Sequence, residues 1–206
     1  MKLYTSNRAP NPRRVRWVMA EKGVTDVELV EVDILTGEHR QPAYRDKVGV
    51  PHLPALELDD GTCISESVAI CRYIEAIHPE PNLFGRDARE QAIIEMWTRR
   101  CEFYLANPLM LNVRHSHPAL AALEAVQSPH VADYNRVSAE RFMKTLDRHL
   151  EGREFVVADR FTIADIVAVV GLDFARLVRY RPPAEFENLA RWLEACRARP
   201  AAQAGA

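Results

Sequence analysis

Residues 53–70 read Leu53-Pro54-Ala55-Leu56-Glu57-Leu58-Asp59-Asp60-Gly61-Thr62-Cys63-Ile64-Ser65-Glu66-Ser67-Val68-Ala69-Ile70. Two short apolar runs, Ala55 to Leu58 and Thr62 to Ile64, flank Asp59-Asp60-Gly61, and that turn chemistry predicts a β-hairpin. Ser65 is the predicted cap of a following helix, with Ile70, Tyr73, Ile74 and Ile77 on its inner face. Pro79 stops that helix. Upstream, Lys2 to Thr5 is a short strand. Asn11 is a favoured N-cap and Pro12 a favoured first helical residue, so a helix is expected from here, with Val15, Val18 and Met19 on one face. Gly23 ends it. Val27 to Val32 reads as a second strand. Gly37 to Val50 is polar and irregular, with one helical turn near Ala43 to Lys47.

Pro79-Glu80-Pro81-Asn82 is a stiff connection and the expected boundary. The reading is a mixed α/β domain over residues 1–78, a linker over 79–86 and an all-helical domain over 87–206. In the second part a helix is expected from Asp87 to Leu105, ending before Pro108, then a broken stretch from His117 to His130. Tyr134 to Leu150 is helical. Thr162 to Val178 is apolar almost all round and predicts a buried central helix. It is opened by Thr162 and Asp165 as a capping box. Leu189, Trp192, Leu193 and Cys196 form the stripe of a last helix, and the tail from Pro200 is expected to fray.

The chain has 206 residues, of which 48% are hydrophobic and 27% charged, a globular mix that excludes a disordered chain. The net charge of −2 gives no basic surplus that would argue for nucleic acid. The apolar run Ile163 to Leu172 contains Asp165 and is too short to cross a bilayer, and Met1 to Pro10 holds no apolar run of signal-peptide length. A soluble cytoplasmic protein with no membrane partner is expected. The four cysteines have neither CxxC nor zinc spacing, so buried free thiols are expected, with no metal and no dithiol site.

The order strand, helix, strand, strand, strand, helix, followed by a helical half, resembles the cytosolic glutathione transferases, in particular the bacterial nu- and theta-like members. So do Leu53-Pro54-Ala55-Leu56, Asp59-Asp60-Gly61, Ser65-Glu66-Ser67-Val68-Ala69-Ile70 and Phe161-Thr162-Ile163-Ala164-Asp165-Ile166. The resemblance covers about residues 2 to 197. It implies an N-terminal thioredoxin-like domain with a mixed four-stranded sheet, an all-α C-terminal domain, and glutathione as co-substrate without a metal. It further implies that Ser67 and its backbone N–H take the γ-glutamyl carboxylate at a helix N-terminus, and that Glu66 takes the ammonium. Free N–H groups and partial positive charge suit that position to an anion, although a helix start alone favours the same residues. Pro54 is cis in the family, and Leu53 pairs its main chain with the cysteinyl part of glutathione. His39, Arg40 and His52 match positions that hold the glycine carboxylate.

The thiol must be made acidic. A free thiol titrates near 8.5, and neutral pH calls for a shift of roughly 2.7 kcal/mol, within reach of one hydrogen bond to a charged acceptor plus a helix N-terminus. The serine that many members carry in the loop after the first strand is Ala9 here. Asn11 sits where nu-like members carry an asparagine and is the first candidate activator, with Ser6 and then Tyr4 as alternatives. Asn11 could instead only cap the helix, or do both, since an amide NH2 stays free when the oxygen caps. Arg13, Arg14 and Arg16 crowd the same helix start against its dipole, a conflict that an anionic ligand would relieve; the alternative is a solvated basic face.

The resemblance implies an enzyme in which the glutathione thiolate attacks a small hydrophobic electrophile. The electrophile site is expected between the domains, at Ala9 and around Arg100, Tyr104 and Met110. Glutathione-dependent reduction of a disulfide or peroxide needs the same thiol and is the first alternative; a non-catalytic protein-binding module on the same fold is the second. A homodimer is expected, with the helices Ser65–Ile77 and Asp87–Leu105 meeting a partner.

Overall fold

A computed structural model describes residues 1–157 and 159–204, which divide into two compact units, Met1–Asn82 with the tail from Pro200, and Leu83–Arg199. In the first unit β1 (Lys2–Thr5) crosses through α1 (Pro10–Glu21) to the parallel strand β2 (Glu28–Glu31), as a parallel pair requires. After α2 (Pro42–Val48), the hairpin of β3 (Ala55–Glu57) and β4 (Cys63–Ser65) adds two antiparallel strands, giving the order β2-β1-β3-β4. α3 (Ser67–Ile77) follows without a loop.

Alternation along the strands divides the core into two layers. Tyr4 and Ala55 lie under α2, in a cluster with Val32, Tyr44, Val48, Val50 and Leu53. Leu3 and Leu56 point the other way and are wholly buried, as are Val15, Trp17 and Val18 of α1 and Ile70 and Ile74 of α3. The thioredoxin-like sheet expected from the sequence is therefore present.

Several boundaries differ from the expectation. α1 begins at Pro10, with Ala9 in extended backbone as its N-cap. Two prolines suit that first turn, and the earlier one occupies its start; Asn11 consequently lies inside the helix and does not cap it. Ser65 is the last residue of β4, paired with Ala55, so the N-cap of α3 is Glu66, which makes no side-chain cap bond. Ile77, the last residue of α3, is exposed rather than part of its inner face. The tail is ordered into a 3-10 turn at Pro200–Gln203: Ala202 is buried, and Arg13 donates to its carbonyl at 3.1 Å. It groups with the first unit, whereas the sequence reading placed it in the helical half.

The second unit is helical. α4 (Ala88–Cys101) does not stop before Pro108; it passes through a π-helical turn, Glu102–Ala106, into α5 (Asn107–Ser116). Proline lacks an N–H and its ring clashes with the carbonyl four residues back. Widening the turn, so that Asn107 N–H donates five residues back to Glu102, admits Pro108 without ending the helix. α6 (Pro129–His149) starts earlier than expected, capped by Ser128, whose Oγ accepts from Val131 N–H. α7 (Ile163–Phe174) is buried along almost its whole length, and α8 (Glu187–Arg197) buries the stripe Leu189, Trp192, Leu193 and Cys196. A Cβ on Gly171 of α7 would come within 2.7 Å of Ala106 Cα, so glycine is what lets α7 lie against the π turn.

Asp165 ties this unit together. Its buried carboxylate accepts from Thr162 N–H and Oγ, from Val156 N–H and from Trp192 Nε1. No helix among the described residues is long and apolar enough to cross a membrane.

Candidate active site

The strand register gathers the candidate residues of the first unit. Tyr4 of β1 lies opposite Ala55 of β3, and Ala55 opposite Ser65 of β4. The loop leaving β1, the Leu53-Pro54 peptide entering β3 and the Glu66-Ser67 corner leaving β4 therefore sit at one end of the sheet. The Leu53–Pro54 bond is cis, as the resemblance implied, and Leu53 is half-buried beside it. Glu66 has φ 69° and ψ 116° and an exposed side chain. Positive φ at a non-glycine residue costs on the order of 1–3 kcal/mol and is found where the chain must turn a group toward a site. It allows β4 to run straight into α3, whose first residue, Ser67, is buried.

α1 contributes cations from below. Arg14 is 1% exposed and donates from a terminal nitrogen to Ser67 Oγ at 3.2 Å. Arg16, 6% exposed, donates to Thr5 Oγ at 3.1 Å, to Asn7 Oδ1 at 2.6 Å and to the Ser6 carbonyl at 3.4 Å. These two arginines are not a solvated basic face. Burial lowers the Arg16 pKa, and Glu31 opposes that shift. Glu31 in turn accepts from Ser6 Oγ and Asn7 N–H at 3.2 and 3.0 Å. The loop after β1 is thus held by Arg16 on one side and Glu31 on the other.

These contacts sort the candidates for thiol activation. Ser6 is 1% exposed, and its hydroxyl is committed to Glu31. Tyr4 donates to Glu57 Oε2 at 2.6 Å and accepts from Lys47 Nζ at 3.0 Å, in the layer under α2. Asn11 differs from both: its Oδ1 is buried and has no hydrogen-bond partner in the structure. Ala9 precedes it as the extended N-cap, with N–H bonded to the Ser6 carbonyl.

The basic candidates come from two segments. His39 and Arg40 occupy a 3-10 turn, Glu38–Arg40, entered through Gly37 in the left-handed conformation. His52 lies in the loop before Pro54, where Tyr44 Oη donates to the His52 carbonyl at 2.6 Å. Arg40 and His52 are exposed, whereas His39 is 7% exposed, with a buried Nδ1 that makes no hydrogen bond. Burial, and then the charges of Arg40 and His52, hold the His39 pKa below its ordinary value.

The candidates from the helical unit separate. Tyr104, in the π turn, is 55% exposed, with its ring 5.7 Å from that of Phe142. Arg100 is half-buried and lies 4.9 Å over the Trp97 ring, and Met110 is buried. Among the described residues, no group of three or more His, Cys, Asp or Glu is placed to hold a metal ion. Cys71, Cys101 and Cys196 are buried, Cys63 is half-buried, and none of the four is in a disulfide. Burial raises the Cys71 thiol to about 12 and raises that of Cys63 as well, away from nucleophilic use. Glu31 and Tyr44 had no part in the sequence reading, and Arg14 and Arg16 entered it only as members of a basic cluster at the helix start. The one signal was the crowding of cations against the α1 dipole.

Residues 3–82 match the family pattern described as Glutathione S-transferase, N-terminal domain, and residues 108–200 match Glutathione S-transferase, C-terminal domain. Glutathione S-transferase 2 of Saccharomyces cerevisiae is 35% identical over 202 residues, 97% of this chain and 87% of the relative. The crystal structure of Gtt2 from the same yeast superposes with a TM-score of 0.94 at 34% identity, covering the whole of both chains. A glutathione S-transferase domain-containing protein of Marinobacter aquaeolei superposes with a TM-score of 0.93 at 39% identity, covering 98% of this chain and 99% of the other. With both halves matched and relatives of that identity spanning it, the chain belongs to the glutathione S-transferase family.

Proposed function

We propose that this glutathione transferase binds glutathione at the end of its sheet, lowers the pKa of the thiol, and transfers the thiolate to a small hydrophobic electrophile. The observation that carries the reading is the buried Arg14–Ser67 contact at the start of α3, beside the strained Glu66. Ser67 Oγ accepts from Arg14, so its own proton is free to donate to the γ-glutamyl carboxylate. The N-terminus of α3 adds backbone N–H groups and partial positive charge. Glu66, exposed next to it, takes the ammonium. The main chain at Leu53 pairs with the cysteinyl residue, and His39, Arg40 and His52 receive the glycine carboxylate.

With both ends held, the sulfur is placed near the first turn of α1. Asn11 donates from its amide to the thiolate, and Ala9 leaves the neighbouring space open. One such hydrogen bond contributes about 1.5–3 kcal/mol, enough with the helix terminus to bring a thiol of pKa about 8.5 toward neutrality. Met96 and Phe103, apolar and exposed along one side of α4 and the π turn, suit a homodimer contact. Sedimentation at micromolar concentration should show twice the chain mass of 23.4 kDa.

Calorimetric titration with S-methylglutathione tests the site. Ser67→Ala should weaken binding roughly 10- to 150-fold, corresponding to about 1.5–3 kcal/mol. Glu66→Ala should weaken it less, because that end is exposed. Unchanged affinity in both variants would remove the site. Product analysis with a haloarene and with a small disulfide then separates transfer from reduction. Tight binding without turnover of either would leave a binding module.

A further inference from the structure

We propose that His39 takes up a proton from solvent as the terminal carboxylate of the ligand docks, so that this end of the site is proton-linked and demands a free carboxylate. The inference rests on the glutathione reading above and adds a property that the reading does not contain. Its basis is the way His39 is held. The ring is more than nine-tenths buried, its inner nitrogen Nδ1 has no hydrogen-bond partner, and the turn that carries it also carries Arg40.

The groups facing His39 explain its state. On its own turn, Arg40 is a permanent cation. Glu38 is directed away, accepting from Asp33 N–H at 2.8 Å. From the loop before β3, His52 acts on it electrostatically. Among the described residues, the charges that act on the imidazole are those of Arg40 and His52. Protonating His39 in the free protein would bury an N–H without an acceptor and add a positive charge beside Arg40 and His52. The neutral ring, with its lone pair on Nδ1, is the cheaper form.

A docked carboxylate reverses the balance. An opposite charge within about 4–6 Å favours the charged form of an ionisable group. Docking therefore raises the pKa of a ring that burial, Arg40 and His52 hold below its ordinary value. The sign follows from linkage. Binding raises the pKa, so binding is tightest at low pH and weakens as pH rises through the bound-state value. Each pKa unit gained on docking is worth about tenfold in affinity across that window.

The experiment is calorimetry with S-methylglutathione, which has no thiol to release a proton, in two buffers of different ionisation enthalpy between about pH 5.5 and 7.5. Wild type should take up a substantial fraction of one proton, largest near the middle of the range. The glycine amide of the same ligand keeps the ammonium and lacks the carboxylate; it should bind more weakly, with no uptake in this range. His39→Gln should abolish uptake and weaken binding about tenfold at the acid end, while His52→Gln should retain uptake. Binding without uptake in wild type would overturn the proposal, as would equal uptake with the amide or uptake that persists in His39→Gln. No binding at any pH would instead overturn the glutathione reading itself, so the two failures are distinct.

Discussion

Arg14 on α1 and Ser67 on α3, fifty-three residues apart, meet as a buried guanidinium donating to a hydroxyl oxygen at 3.2 Å. The contact fixes which way the serine proton can point, and it places a fixed charge beneath a helix N-terminus. Arg14→Met keeps the apolar stem and removes both effects. It should weaken S-methylglutathione binding roughly tenfold, raising KM far more than it lowers kcat, because the γ-glutamyl end is remote from the sulfur. Adding Ser67→Ala should then cost much less than it does in wild type, since both changes remove one linked arrangement. Additive losses by calorimetry would mean that Arg14 acts on binding independently of Ser67.

Asn11→Ala should lower turnover about 10- to 100-fold, the cost of one hydrogen bond to a charged acceptor. It should also raise the pKa of the bound thiol, seen as lost thiolate absorbance near neutral pH. Because Asn11 lies inside the helix and caps nothing, thermal stability should hold. Loss of both signals in Ser6→Ala but not in Asn11→Ala would transfer the role to Ser6. The commitment of the Ser6 hydroxyl to Glu31 argues against that outcome.

The sheet and its end were legible because they are written locally. The Asp59-Asp60-Gly61 turn fixes the hairpin register, and the register alone brings Leu53-Pro54 level with Glu66-Ser67. What was not legible depends on distant partners. Three arginines at a helix start read equally well as a solvated face until Thr5, Asn7 and Ser67 are found opposite two of them. Pro108 reads as a stop, because nothing nearby in sequence says that a widened turn will lie against Gly171. The tail has no periodicity, and its order comes from Arg13, one hundred and eighty-nine residues away.

Asp165→Asn should be among the most damaging conservative changes. Each carboxylate oxygen accepts two donors, Oδ1 from Val156 and Trp192 and Oδ2 from Thr162 twice. An amide must turn its NH2 toward one side: toward Val156 and Trp192 it loses two bonds, and toward Thr162 the hydroxyl can rotate to accept but the Thr162 N–H is left opposing a donor. The cost should be on the order of 3 kcal/mol, or about 6–12 °C in Tm for a chain of this size. Scanning calorimetry checks it. A change under about 1 °C would mean that the four bonds do not persist in solution.

Lys22 is a second buried charge with a defined set of partners. Its side chain is 0% exposed at the end of α1; Nζ lies 2.6 Å from Glu75 Oε2 and donates to the carbonyls of His78 and Pro81, each at 2.8 Å. Glu75 Oε1 also accepts from Asn82 at 2.8 Å, so one ammonium and one carboxylate pin the connection after α3. Lys22→Met would leave a carboxylate and two carbonyls facing an apolar stem. Breaking a buried pair from one side costs about 3–5 kcal/mol. Glu75→Met in the Lys22→Met background should cost less than it does alone, because the carboxylate it removes has already lost its main partner. Denaturant unfolding of the two single variants and the double variant measures the coupling. Additive losses would show that the ammonium is held by the carbonyls of His78 and Pro81, and that Glu75 stabilises the connection through Asn82 instead.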